Sequence, residues 1–346
     1  MNELKTRPQE QRLIDMAAEL AAPRVLTNTV GRGQFAAAFA EQNKQSQVTC
    51  WLLDLYQLNE CSAFCQPRRP NLQLVCQADP PAGEFDLVAW SLSRSGQAEL
   101  TRGMLQTGYE RLTMGGRFVT SIDNAADHWL HEQLKRMFAK VTRRVEGRGA
   151  VYLATKMAPL KKRKEYSCEL AFRDGERLIY VRTRPGVFSH REVDGGARAV
   201  IKAMEITPAM RVLDLGCGSG AVGLAAALRA EGVRVHAIDS NPRAIEAIEW
   251  GAERNEVSGL TAALDCDGAS VEPRAFDLVL ANPPYFSNFR IAELFLQIAA
   301  RALKKGGKLL LVTKTPQWYA ENMPEAFDDA FTQPAGNYVL VIARKG

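Results

Sequence analysis

Asn282-Pro283-Pro284-Tyr285 is the segment whose residue types point most directly to chemistry. It follows the apolar run Phe276 to Ala281, which reads as a strand. An exocyclic amine on a planar base is a weak nucleophile, because its lone pair is delocalised into the ring. The side-chain oxygen of Asn282 and the carbonyl of Pro283 are placed to accept its two N–H bonds. That aims the lone pair at a methyl donor and stabilises the nitrogen as it turns tetrahedral. Two prolines stiffen the backbone so that the acceptors are fixed beforehand. Tyr285 offers a ring on which a planar substrate can stack. No general base of unusual pKa is required, since the amine proton is acidic once the methyl has transferred.

A second constellation lies upstream. The short apolar strand Val212 to Leu215 runs into Gly216-Cys217-Gly218-Ser219-Gly220 and then a helix-like stretch from Ala221 to Ala230. Glycines at a strand-to-helix turn let a ligand approach the backbone where no Cβ intrudes. The next strand, Val233 to Ile238, ends in Asp239, an acid placed to accept hydrogen bonds from ribose hydroxyls. Gly218 to Gly223 also reads G-x-G-x-x-G, which admits an NAD-dependent oxidoreductase. Asp214 argues against that, because an anion before the glycines repels a pyrophosphate but tolerates a sulfonium. Leu264 to Gly268 adds Asp267 at the end of a third strand, suited to an adenine amine. Asp214 and the Asn-Pro-Pro-Tyr segment therefore favour S-adenosylmethionine.

The elements that carry these residues alternate between strand and helix signals, as in parallel-sheet α/β units. They also repeat. Arg24-Val25-Leu26 with Gly31 and Gly33 matches Arg211-Val212-Leu213 with Gly218 and Gly220, at an offset of 187. Asp54 matches Asp239 at 185, and Phe85-Asp86-Leu87-Val88 matches Phe276-Asp277-Leu278-Val279 at 191. Gly115-Gly116 matches Gly306-Gly307, again at 191. The chain thus reads as one nucleotide-binding-type fold used twice. In the first copy Thr27 replaces Asp214, and Ser91-Leu92-Ser93-Arg94 replaces Asn282 to Tyr285. The amine acceptors are gone there, so the first copy is expected to be a structural and substrate-docking domain.

The C-terminal half resembles a class I S-adenosylmethionine-dependent methyltransferase of the ribosomal RNA guanine-N(2)-methyltransferase family (RsmC/RlmG type). The resemblance rests on Arg184 to Ser189, Asp194 and Gly196, Val212 to Gly220, and Asn282 to Tyr285, and it covers roughly residues 165–346. It implies two tandem Rossmann-like methyltransferase domains, the first degenerate and the second a seven-stranded sheet with a terminal antiparallel strand. The boundaries read as 1–158, a basic linker at 159–164, and a catalytic domain at 165–346. By this resemblance Asn282, Pro283 and Tyr285 act on the amine. Phe188, Asp194, Gly196, Asp214, Gly216, Gly218, Gly220, Asp239, Asp267 and Asn282 hold the cofactor, with Phe188 to Gly196 closing over its methionine end. The implied partner is ribosomal RNA or a ribosomal subunit, most specifically guanine N(2) of the small-subunit RNA. Tyr285 stands where that family usually carries Phe. The same NPPY segment serves methyltransferases of adenine and of protein glutamine, which keeps those substrates open.

Composition bounds the alternatives. The 346 residues are 46% hydrophobic and 24% charged, the profile of a folded protein with room for two cores. The net charge is only +5, yet residues 161–211 hold twelve Lys or Arg against seven acids. That strip suits phosphate contacts, and a charge run is otherwise a solvated face. An RNA-binding scaffold with two dead domains would leave the Asn-Pro-Pro-Tyr motif idle. The polar N-terminus and the lack of a run near 20 apolar residues disfavour secretion and the membrane, so a cytoplasmic, monomeric tandem protein is expected. Seven irregularly spaced cysteines suit a reducing compartment, and Cys61, Cys65 and Cys76 do not make a zinc pattern, so no metal is expected. Phe286 and Phe289 are candidates to hold a base swung out of its stack, or else core.

Overall fold

The duplicated strand pattern becomes two separately closed sheets. The computed structural model describes residues 5–67, 69–284 and 289–346, and the chain divides into two contiguous units, Met1–Tyr166 and Ser167–Gly346. Unit 1 runs α1 (Pro8–Asp15), β1 (Arg24–Thr27), α2 (Gln34–Gln42), β2 (Gln47–Leu52), α3 (Leu55–Phe64), β3 (Leu72–Cys76), β4 (Phe85–Leu92), α4 (Ala98–Arg111), β5 (Leu112–Ile122), α5 (Trp129–Lys135), β6 (Val141–Glu146) and β7 (Gly149–Thr155). Unit 2 opens with a hairpin of β8 (Cys168–Asp174) and β9 (Arg177–Thr183). It continues as α6 (Gly195–Ala203), β10 (Arg211–Leu215), α7 (Ala221–Arg229), β11 (Arg234–Asp239), α8 (Pro242–Arg254), β12 (Leu260–Leu264), β13 (Phe276–Ala281), α9 (Arg290–Ala302), β14 (Leu303–Thr313), α10 (Pro316–Asn322), β15 (Phe327–Ala335) and β16 (Tyr338–Lys345).

Among the described residues both sheets have seven strands in the same order. They are β3-β2-β1-β4-β5-β7-β6 in unit 1 and β12-β11-β10-β13-β14-β16-β15 in unit 2. The first five strands of each are parallel, and β7 and β16 are antiparallel to both of their neighbours. The tandem Rossmann-like reading therefore holds. The terminal antiparallel pair, expected for the second sheet, closes the first one too.

The copies agree in detail. Strands β5 and β14 share one pattern of buried and exposed positions along all eleven residues. A register shift falls between Phe85 and Leu87 in one copy and between Phe276 and Leu278 in the other. Asp86 accepts the Arg24 amide at 3.1 Å, and Asp277 accepts the Arg211 amide at 2.8 Å. Such coincidences follow from a common sheet and not from generic strand chemistry.

In unit 2 the strands alternate between two cores. Val212, Leu278, Leu280, Leu310 and Val312 pack on one face. Leu213, Leu215, Val279, Leu309 and Leu311 pack on the other. Both faces of a parallel sheet must be covered, which explains the nearly continuous apolar strands. The hairpin signal at Asp174-Gly175 is realised, with Asp174 paired to Arg177 across the turn. Arg229 at the end of α7 makes two 2.8 Å bonds to the Asp174 carboxylate, and the Asn255 side chain bonds both the N–H and the carbonyl of Tyr180. The hairpin is thereby fixed to its own unit. The segment expected as a linker, 159–164, is part of unit 1. Arg163 pairs with Glu110 at 2.6 Å, and the Gln106 side chain bonds both backbone groups of Lys164.

Candidate active site

In unit 2 the chain leaves β10 to one side through β11 and β12, then crosses to β13 on the other. The crevice between the carboxyl ends of β10 and β13 is the switch point at which open α/β sheets bind ligands. Leu215 pairs with Ala281, so Gly216 and Asn282, each one residue further on, face one another across that crevice.

The glycines there have distinct reasons. Gly220 is left-handed (φ 79°), and a Cβ on it would meet Ile248 of α8 at 2.9 Å. It serves close packing. Gly218 is also left-handed (φ 53°), but a Cβ there would find only the Gly216 carbonyl at 4.0 Å. It leaves open space for a ligand. Asp239 ends β11 and grips this loop, accepting the Gly218 amide at 2.9 Å and the Asn241 amide at 2.8 Å.

Asp214 is buried, and its Oδ2 has no hydrogen-bond partner among the described residues. Burial pushes its pKa up to about 7, opposed by the Gly223 amide and assisted by the charge of Asp239. Asp265, which sequence reading passed over for its neighbour, is the opposite case. Burial would raise its pKa, yet the Ser270 hydroxyl and amide and the amides of Asp267 and Gly268 hold it below the usual range. It builds the loop that presents Asp267, whose own carboxylate accepts the Ala269 amide at 3.1 Å.

Asn282 is oriented by a residue far away in sequence. Its Nδ2 donates to Asp194 Oδ2 at 2.8 Å. That oxygen also caps α6, accepting the amides of Gly196 at 2.7 Å and Ala197 at 3.1 Å. An ionised carboxylate only accepts, so the Asn282 amide group must turn toward it and Oδ1 is left for a substrate. Gly196 completes the arrangement, because a Cβ there would lie 2.7 Å from Asn282 Oδ1. Asp194 and Gly196 were expected at the cofactor; the structure brings both to the amine acceptor. The buried Pro283 follows directly. Tyr285 and Phe286 lie outside the described residues. Phe289 stacks on Trp318 with ring centroids 4.7 Å apart and planes 6° apart. Sequence reasoning missed Trp318, which carries no motif.

Before α6, the segment from Arg184 is anchored beside Asp239. Asn241 donates to the Gly186 carbonyl at 2.7 Å, and Arg243 to that of Pro185. Phe188 beyond it is half exposed, at 51%.

Unit 1 fills its corresponding site. Glu10 of α1 is wholly buried, and its carboxylate accepts from the Thr29 hydroxyl and from the amides of Val30 (3.0 Å), Gly31 (2.9 Å) and Phe35 (3.0 Å). The backbone donors of this glycine loop are thus spent on the protein's own anion. Ser91, in the place of Asn282, has its N–H and carbonyl both bonded to the Asn28 side chain. No group of three or more potential metal ligands lies together among the described residues, and none of the seven cysteines is in a disulfide. No helix among those residues is long and apolar enough to cross a membrane.

A glycine loop and an Asn-Pro-Pro turn at the switch point of this strand order define a class I methyltransferase fold. The methyltransferase small domain family matches residues 178–341. The chain is 31% identical over 167 residues to the uncharacterised Bacillus subtilis protein YbxB, covering 83% of that protein and 46% of this one. The chain belongs to the methyltransferase small domain family. It is also 32% identical over 151 residues to a Pseudomonas putida ribosomal RNA small subunit methyltransferase C, a match spanning 42% of this chain and 44% of that protein. The chain is similar in fold to the Thermus thermophilus 16S rRNA N2 G1207 methyltransferase RsmC, solved with AdoMet and guanosine. The TM-score is 0.81 at 22% identity, over 97% of this chain and 92% of that one.

Two stability measurements test the carboxylate readings. Glu10→Gln keeps one oxygen but turns an NH2 toward a backbone donor, at a cost of about 2 kcal/mol. Hydrogen exchange at the α2 amides is expected to quicken some thirtyfold; unchanged protection would refute the buried-anion account. Asp214 stays protonated in the fold up to about pH 7, while the unfolded chain ionises near 3.8. Its contribution is therefore fully present below about pH 4 and is lost as the pH rises toward 7. Asp214→Asn should gain about 3 kcal/mol on wild type between pH 5 and pH 8, read from urea unfolding of unit 2. A pH-independent difference contradicts the raised pKa.

Proposed function

We propose that this protein transfers a methyl group from S-adenosylmethionine to an exocyclic amine in ribosomal RNA, the N2 of a small-subunit guanine. The observation that carries this reading is the Asn282 amide held by Asp194 through Nδ2, which leaves Oδ1 as the acceptor. The names of the Pseudomonas and Thermus relatives supply the substrate class and the base. The residues fit the cofactor: an open cradle at Gly218, an orphaned buried oxygen on Asp214, and acids at the ends of β11 and β12. Gly216, Gly218 and Gly220 form the cradle, Asp239 and Asp267 take ribose and adenine, and Phe188 borders the methionine end.

S-adenosylmethionine supplies a methyl group made electrophilic by its sulfonium. Asn282 Oδ1 and the Pro283 carbonyl accept the two amine hydrogens, which localises the nitrogen lone pair toward that methyl. As the C–N bond forms and the methyl C–S bond breaks with its pair going to sulfur, positive charge grows on nitrogen and both acceptors bind it more tightly than in the ground state. One amine proton then leaves to solvent. Tyr285 would stack on the base. Unit 1 takes no part in the chemistry, since Glu10 occupies its loop, and it supports substrate docking. The protein works as a cytoplasmic monomer that brings its own second domain.

Mass mapping of small-subunit rRNA from cells lacking the protein should show one N2-methylguanosine missing. A full complement of that nucleoside overturns the guanine reading, and loss of a methyladenosine or of a methylated glutamine would transfer the site to those substrates. Calorimetry should give one equivalent of S-adenosylmethionine per chain. Asn282→Ala is expected to lower kcat by 10²–10³ with cofactor affinity nearly unchanged. Asp194→Ala removes the oxygen that both caps α6 and fixes the Asn282 amide, so kcat should drop about tenfold, and Asp194→Asn, which keeps one oxygen for both bonds, should recover most of it. An unaltered kcat would show that Asp194 does not orient Asn282.

A further inference from the structure

Unit 1 carries a cavity of about 430 Å³ that has no part in the site above. Its floor is aromatic, formed by Tyr109, Phe138 and Tyr166. One wall is the segment from Met157 to Lys162, fastened by the Tyr109 hydroxyl to the Ala158 carbonyl at 2.7 Å. The mouth holds five cations, Arg102, Lys135, Arg136, Lys161 and Lys162, and no acid lines it. The neighbouring acids are already engaged, Glu110 by Arg163 at 2.6 Å and Glu132 by Lys135 at 3.1 Å. Arg136, Lys161 and Lys162 are exposed and have no ion-pair partner among the described residues.

Like charges so gathered repel one another unless an anion shares them. The volume lies within the range of ordinary ligand pockets. A row of cations around a concave site that no acid lines matches a sugar-phosphate strand with one nucleotide turned inward.

We propose that this cavity is an anchoring site for a single-stranded RNA segment. Phosphates sit on Arg136, Lys161 and Lys162, and one nucleotide enters the cavity. The assignment extends the RNA reading above but is tested by binding alone, so it stands or falls separately from methyl transfer.

The test compares the full chain with the triple variant Arg136→Ala/Lys161→Ala/Lys162→Ala. A control triple, Lys5→Ala/Lys44→Ala/Arg148→Ala, removes the same charge elsewhere on unit 1. Fluorescence anisotropy with a labelled single-stranded RNA dodecamer should show affinity falling at least tenfold in the first variant only. The slope of log affinity against log salt should shrink by about 2, as three lost phosphate contacts require. S-adenosylmethionine affinity should not change, and Asn282→Ala should bind the RNA like wild type. Equal losses in both triples would reduce the effect to general charge and overturn the site. Displacement of a bound guanosine monophosphate with unaltered RNA affinity would assign the cavity to a free nucleotide and overturn it as well.

Discussion

A carboxylate removed from water must find N–H donors or give up its charge, and that constraint shapes both copies of this fold. Glu10 finds its donors in the glycine loop of unit 1 and closes it. Asp239 and Asp265 find theirs in the loops after β11 and β12 and shape them. Asp194 finds two in the start of α6 and a third on Asn282. Asp214 finds too few and is protonated more readily. The filled loop has an acid on the preceding helix aimed into it, and the open one has Ala197 at the matching position of α6.

Much of this was legible in the sequence, for reasons that can be stated. The duplication showed because strand register and sheet order constrain residues such as Asp86 and Asp277 to the same spacing in both copies. The Asn-Pro-Pro segment and the glycine loop showed because each is contiguous, so one local turn carries the whole signal. The pairing of Asp194 with Asn282 spans 88 residues, and only the folded sheet brings its two ends together. Glu10 was hidden for a similar reason, since an acid in a short amphipathic helix reads as solvated surface. Asp267 drew attention as the acid nearest the loop glycine, while Asp265 two residues earlier does the buried work. The basic run at 161–164 resembled a linker because charge and a proline usually mark one, yet Gln106 and Glu110 bind it to unit 1.

Unit 1 shares the architecture of unit 2 while differing at the polar groups of the site, because the two depend on different residues. Sheet and core rest on the apolar strands, which alternate identically along β5 and β14. Reactivity rests on a few polar groups beyond the strand ends, and these are the groups that differ: Thr27 for Asp214, Ser91 for Asn282. The hairpin of β8 and β9 is likewise an addition to unit 2, clamped by Arg229 and Asn255.

No strand of either sheet is borrowed from the other unit. Every pairing partner of unit 1 is consequently available once the chain has been made through Tyr166. At roughly 5–20 residues per second, the remaining 180 residues take about ten to forty seconds to synthesise. Unit 1 can therefore fold on the ribosome before the strands of unit 2 are complete.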